Sequence, residues 1–241
     1  MILASSEPPM IIFIGFGFLA LLFVLIIIVH LRRTKKAKKA LDKILSLYSF
    51  QEQQYLDVTM EQDLQTIMLH YYAIQSDISF ENIYKRGSGT NAIYLFDINY
   101  TMRAHRETTW YTGRVFGFPY STGFDHLFFI GKTMSKYGKT FEKMLTLGQH
   151  ITTVSTGDSM FDDEYTLLVQ KSNTNTEVFV PFALKLKPIL DNHLQRIKKY
   201  PVGQSTYSCI LSFTKEFCYI RFYPHNTNIE QFYHLAEELK D

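Results

Sequence analysis

The sequence predicts an α+β chain: an N-terminal transmembrane helix followed by one domain with an antiparallel sheet and packed helices. Three observations carry this reading. Residues 10–29 contain no charge, amide or hydroxyl. A basic string with six cations follows within ten residues. From residue 77 onward, runs rich in Tyr, Phe, Ile and Thr alternate with short turn clusters, with helix-periodic segments on either side.

Residues 1–9 hold one acid, Glu7, and no base, and are expected to form a short extracytoplasmic N-terminus. Twenty apolar residues make a helix about 30 Å long, the thickness of a bilayer's hydrocarbon core, and the expected span covers 10–31. A cleaved signal peptide carries its cations ahead of a shorter apolar stretch and ends in small residues. Here bulky Ile26, Ile27, Ile28 and Val29 occupy that end.

The juxtamembrane collar, 32–39, contributes Arg32, Arg33, Lys35, Lys36, Lys38 and Lys39. Cations flanking a span are retained in the cytoplasm. The N-terminus is therefore expected outside the plasma membrane and residues 40–241 inside. The main expected role of the collar is this topology signal. It also attracts anionic lipid head groups, at about 1 kcal/mol per cation near the surface. The chain has 25 Lys+Arg and 23 Asp+Glu; beyond residue 39 there remain 19 bases and 22 acids, a net of −3. The basic balance belongs to the collar, which argues against a nucleic-acid-binding domain. The expected partners are the lipid bilayer and a protein that the sequence does not name.

Residues 40–76 read as a helical stalk and a second helix. Leu41, Ile44, Leu45 and Tyr48 recur at helical spacing and continue the first helix. Thr59 to Gln62 has a capping-box pattern, ahead of an apolar stripe of Leu64, Ile67, Met68, Tyr71 and Tyr72. Such a stripe is a core face, because short helices need tertiary burial to persist.

Residues 77–241 read as the α+β cytoplasmic domain. Ile78–Lys85, Ala92–Met102, Thr108–Phe118 and Asp125–Ile130 form an expected antiparallel meander. One or two strands follow between Ile151 and Gln170. A helix is expected from Phe179 to Tyr200, kinked or restarted at Pro188. A hairpin, Ser205–Phe213 and Phe217–Pro224, turns near Thr214 to Glu216 and sets Cys209 roughly opposite Arg221. The last helix starts at Thr227-Asn228-Ile229-Glu230 and buries Ile229, Phe232, Tyr233 and Ala236. Two cysteines, Cys209 and Cys218, suit a reducing compartment and read as packing residues.

Six patterns invite chemistry. Gly87-Ser88-Gly89 leads into a strand, whereas phosphate loops lead into a helix, so a hairpin turn is expected. Thr156 to Asp163 resembles the nucleophile block of the Gly-Asp-Ser-Leu esterases and lipases, which would make Ser159 the nucleophile. That family pairs its serine with a downstream Asp-x-x-His, and Leu190, Phe222 and Gln231 stand three residues before His193, His225 and His234. A serine without a base is a weak nucleophile, so a turn or helix cap is the expected role. Asp158, Asp162, Asp163 and Glu164 lack the alternating ligands and central glycine of a calcium loop. Neither His105 nor Asp125-His126 completes a triad, and Asn99-Tyr100-Thr101 is a glycosylation pattern in the wrong compartment for its use. No catalytic residue, metal or cofactor is expected.

The order of parts resembles a group of uncharacterised bacterial single-pass membrane proteins. The likeness rests on Phe96-Asp97-Ile98-Asn99-Tyr100, the Thr156 to Tyr165 segment, the helix around Phe182 to Leu194, and the closing hairpin plus helix. It implies an N-terminal span and basic flank ahead of an α+β domain, over most of residues 80–240, and it brings no activity with it. The expected function is a membrane-tethered cytoplasmic binding or scaffold domain, concentrated at the bilayer for a partner there. The competing readings are a membrane-anchored hydrolase using Ser159 or the Asp158/Asp162/Asp163 cluster, and a structural subunit of a membrane complex. For the latter, Gly15, Gly17 and Ala20 do not form a small-xxx-small packing pattern.

Overall fold

A computed structural model of the chain describes residues 10–72, 78–104, 107–124, 128–133, 151–171, 176–195 and 207–240. Helix α1 runs unbroken from Met10 to Leu47 and is followed by β1 (Gln51–Glu52) and α2 (Val58–Tyr72). Then come β2 (Ile78–Arg86), β3 (Ile93–Ala104), β4 (Glu107–Pro119), β5 (Phe128–Thr133) and β6 (Ile151–Val154). A short α3 (Ser159–Glu164), β7 (Tyr165–Gln170), α4 (Thr176–Leu194), the hairpin β8 (Tyr207–Phe213) and β9 (Phe217–Phe222), and α5 (Ile229–Lys240) complete it. The nine strands make one sheet in the order β1-β2-β3-β4-β9-β8-β5-β7-β6, with every pairing antiparallel. Of the expected four-strand meander, β2, β3 and β4 are neighbours in order, but β9 and β8 are inserted between β4 and β5.

Period-two alternation sends apolar side chains to both faces of this sheet. On one face Leu95, Phe116, Phe118, Phe128, Ile130, Leu167, Leu211, Ile220 and Phe222 pack with α1, α3, α4 and α5. Ring contacts dominate here: Phe128 stacks on Phe213 at 4.8 Å and Phe222 on Phe232 at 4.1 Å. The other face carries Phe96, Ile98, Val115, Phe129, Leu168, Ile210 and Tyr219, in one cluster with Met60, Leu64, Ile67 and Met68 of α2. Gly117 makes room for α2, because a Cβ there would stand 2.6 Å from Met60 Cε. Asp63 ties the same helix down by accepting from Thr214 Oγ1 at 2.7 Å and Tyr219 OH at 3.0 Å. Burial raises the pKa of that carboxyl.

Among the described residues no helix is long and apolar enough to cross a membrane. The side chains of 10–18 lie outside them, and Leu19 to Val29 amounts to eleven apolar residues, about 16 Å of helix. The span expected over 10–31 is thus not shown by the described part of α1. The expected stalk, 41–48, is not free-standing. Its Ile44 is fully buried against the sheet face, with Ala40, Leu41, Leu45 and Tyr48 packed around it.

Three local expectations shift by a residue or more. Helix α2 is capped by Asp57, whose Oδ1 accepts from the N–H groups of Thr59 and Met60, and not by Thr59. A carboxylate two residues earlier reaches the same orphan donors. Helix α4 begins at Thr176 and continues through both Pro181 and Pro188 as one helix; residues 196–200 of the expected helix lie outside the described residues. In the late hairpin Phe213 pairs with Cys218, one residue longer in the turn than expected, so Cys209 faces Phe222 and Ile210 faces Arg221. Both thiols are buried, which pushes their pKa values up and leaves them unreactive.

Candidate functional site: the collar end of the sheet

Helix α1 presents two different faces around the collar. Thr34, Ala37, Ala40, Leu41, Ile44, Leu45 and Tyr48 recur every three or four residues and are at least half buried. Arg32, Arg33, Lys35, Lys36, Lys38 and Lys39 are all exposed. The collar is therefore a cationic ridge on a helix docked to the domain, and not a loose linker. Tyr48 fastens the lower end, its ring 4.0 Å from that of Tyr233 and its hydroxyl 3.2 Å from His234 Nε2. Lys43 adds an exposed ion pair to Glu230 at 2.9 Å. At the upper end the ring of His30 meets His225 edge-on, 5.6 Å away.

His225 sits in the turn between β9 and α5, and that turn is held by a buried ionic cluster. Arg114 of β4 forks onto Asp97 of β3, Nε to Oδ1 at 2.7 Å and Nη2 to Oδ2 at 2.9 Å. Its remaining Nη1 donates to the carbonyl of Pro224 at 3.3 Å. Asn82 donates to Asp97 Oδ2 at 2.9 Å from β2. It does so at φ 49°, where β2 slips register between Glu81 and Tyr84, a conformation that asparagine tolerates better than most residues. Only 11% of the Arg114 and 9% of the Asp97 side chain is exposed, so the pair needs its full set of partners. On the opposite face Arg221 passes over Gly113, where a Cβ would stand 2.6 Å from its Nε, and donates to Tyr100 OH at 2.6 Å. The half-buried ring of His225 is held below its ordinary pKa of 6.5 by burial first, then by His30 and Arg114, against the attraction of Asp97.

The Thr156 to Asp163 segment is organised otherwise. Asp158 caps α3, its Oδ1 accepting from the N–H groups of Met160 at 2.8 Å and Phe161 at 3.1 Å. Ser159 is the first residue of that helix. Asp162 folds back on the preceding loop, accepting from Ser155 Oγ at 2.6 Å and Thr156 Oγ1 at 2.9 Å. Glu164 pairs with Lys132, whose ammonium lies 4.5 Å from the centre of the Tyr165 ring. The three histidines downstream of Ser159 are engaged elsewhere: His193 with Glu238 at 2.5 Å, His225 with His30, and His234 with Tyr48. Among the described residues no group of three or more His, Cys, Asp or Glu side chains could hold a metal ion. Gly87-Ser88-Gly89 forms the β2–β3 turn, with Gly87 at φ 73° and Gly89 at φ 56°. His105 and Asp125-His126 lie outside the described residues.

The Asp97–Arg114 pair is what sequence reasoning missed. The available signal was a charge flanked by apolar or neutral residues well inside each of two strands, Asp97 in β3 and Arg114 in β4, which register as direct cross-strand partners.

No family model and no curated protein matches this chain. Among solved structures it is similar to the crystal structure of the mycobacterial trehalose monomycolate transport factor A, TtfA, at 9% identity and a TM-score of 0.34, over 85% of this chain and 92% of that one. At that level the likeness carries no argument about function.

Proposed function

We propose that this protein is a membrane-tethered binding or scaffold protein whose domain lies on the cytoplasmic side of the plasma membrane. The carrying observation is α1: one helix from Met10 to Leu47, apolar at its start, cationic and exposed at its middle, buried in the domain's core at Ile44. Leu19, Leu21, Phe23, Leu25 and Ile26 are each more than half exposed to solvent, an arrangement that needs an apolar surround. The described eleven residues extend the run that begins at Met10 in the sequence to twenty, enough for a bilayer's hydrocarbon. Because α1 packs into the domain's core at Ile44, the tether would orient the domain as well as raise its local concentration. Six cations at this position support a cytoplasmic side for that domain and an attraction to anionic lipid.

Alkaline carbonate extraction of cell membranes tests the tether, and protease access to a tag after Asp241 in sealed vesicles tests its direction. The chain is expected in the carbonate-resistant pellet, with the tag cleaved only when the cytoplasmic face is outward. Release into the supernatant would remove the reading. Proximity labelling from the same C-terminus then names the partner.

A further inference from the structure

The domain-facing stripe of α1 reaches the end of the apolar run. Thr34, Ala37, Leu41, Ile44 and Tyr48 recur at intervals of three or four, and His30 continues the series one step upward. Its ring meets that of His225 edge-on at 5.6 Å, so the β9–α5 turn stands beside the residue that follows Val29. The turn is firmly built. Arg114 Nη1 donates to the carbonyl of Pro224 at 3.3 Å, the Asn226 N–H to the carbonyl of Tyr223 at 3.0 Å, and the Asn228 N–H to Asn226 Oδ1 at 2.9 Å. Asn226 is buried, whereas Tyr223 is 43% exposed, with its ring 5.3 Å from that of His225.

Depth follows from this contact. With residues 10–29 filling the hydrocarbon, His30 lies about 1.5 Å of helix beyond its edge. Whatever the tilt of the helix, the His225 ring stands no more than 5.6 Å nearer to the bilayer, or farther from it, than the His30 ring. The head-group layer is itself about 5–7 Å thick on each side. The β9–α5 turn therefore comes to the level of the head groups, next to the exposed Arg32 and Arg33 of the collar. Tyrosine suits that level, because its ring is apolar and its hydroxyl polar. The rest of the domain leads away. From His30 to Tyr48 α1 descends about 27 Å, at 1.5 Å per residue. Just past that lower end the ring of Phe50 lies 6.5 Å from Phe116, which pairs with Ile220 on β9. Strand β9 thus runs toward the bilayer from Phe217 to Phe222, and the β8–β9 turn is at its far end.

We infer that the β9–α5 turn, Tyr223–Thr227, rests in the phospholipid head-group layer beside the helix, with Tyr223 as its leading side chain. This rests on the tether reading and deepens it, by naming the face of the domain that meets the bilayer. The Asp97–Arg114 pair, with Asn82, then braces a lipid-facing turn against three strands through Pro224. The β8–β9 turn, Thr214–Glu216, and Asp63 of α2, to which Thr214 donates, belong to the end offered to a cytoplasmic partner.

Two cysteine reporters test the contact. Tyr223→Cys and, separately, Glu216→Cys are labelled in the folded chain with an environment-sensitive fluorophore; Cys209 and Cys218 are buried, and the unsubstituted chain serves as the blank. Each full chain is reconstituted into vesicles of phosphatidylcholine and phosphatidylglycerol, with or without a nitroxide on the lipid head group, and floated on a density gradient. In the floated fraction the probe at 223 is expected to lose about half of its emission to the nitroxide lipid, as a group at interfacial depth does. The probe at 216 stands about 23 Å away along β9, at 3.3 Å per residue, and is expected to keep its emission. Floated protein that is unquenched at 223 overturns the turn contact and leaves the tether standing. Equal quenching at both positions overturns it as well, since the domain then keeps no fixed side to the bilayer. Protein that does not float removes the tether, and the turn contact with it.

Discussion

Asp97 and Asp162 each accept hydrogen bonds from at least three donor atoms, yet the donors come from very different places. Those of Asp162 lie six and seven residues back, on Ser155 and Thr156, in an exposed loop. Those of Asp97 come from Asn82 and Arg114, on the two strands that flank β3, and Arg114 reaches on to Pro224, 110 residues away. The first cluster folds a loop onto a one-turn helix. The second joins three strands and the β9–α5 turn at the end of the sheet where α1 leaves the domain. At Asp162, an acid that stands out in the sequence, these hydrogen bonds come from its own loop. Two charges on neighbouring strands can set the geometry of a whole end of the molecule.

The comparison breaks most readily at Arg114. Arg114→Ala leaves Asp97 buried with Asn82 as its one side-chain partner among the described residues, and is expected to cost about 3–5 kcal/mol of unfolding free energy, the range for breaking one side of a buried pair. Denaturant melts of the full chain in detergent measure it, and a loss below about 1 kcal/mol would mean that the pair is as dispensable as a surface one. Asp158→Ala removes a cap from a short exposed helix and should cost about 1 kcal/mol in the same assay. A value near that of Arg114→Ala would show that the loop braces more than itself.

A smaller effect should appear with pH. The folded state holds His225 below its ordinary pKa of 6.5, so the unfolded chain takes up that proton first as pH falls. Stability from this site is present above pH 6.5 and is lost as pH falls from there through the depressed native value. Thermal midpoints between pH 7.5 and 5.5 should therefore decline, and His225→Gln should flatten the decline. An unchanged slope in that variant would place the titration elsewhere. The least effect is expected from Ser159→Ala, within about 0.5 kcal/mol of the parent in stability, as for other exposed polar positions. Any cellular phenotype should also survive this change, together with Asp162→Asn. A folded, membrane-bound variant that loses the phenotype would revive the hydrolase reading for Ser159.

Much of the architecture was legible from local pattern. The period-two runs at 78–85, 92–102 and 108–118 became β2, β3 and β4 within about two residues at each end. The Gly-Asp-Ser turn became a helix cap, and the stripe of Leu64, Ile67 and Met68 became a buried helix face. Small offsets arose where neighbouring residues compete for one role. Asp57 displaces Thr59 as the cap of α2, and one extra residue in the β8–β9 turn moves Cys209 from Arg221 to Phe222. What stayed hidden was contact between distant segments, such as His30 with His225, or Thr214 and Tyr219 with Asp63.

The sequence alone determined most of the helix and strand segments, where the charge collar lies, and that the residues beyond it are not basic. Those properties depend on side-chain periodicity, turn chemistry and charge within a few residues, and they need no partner far along the chain. Only the tertiary structure decided that the collar helix is docked rather than free and that Arg114 and Asp97 share a buried site. Both depend on contacts between segments far apart in the chain, which strand order and register bring together. The insertion of β9 beside β4 stops at Arg114, and nothing local to either strand announces where that pairing ends.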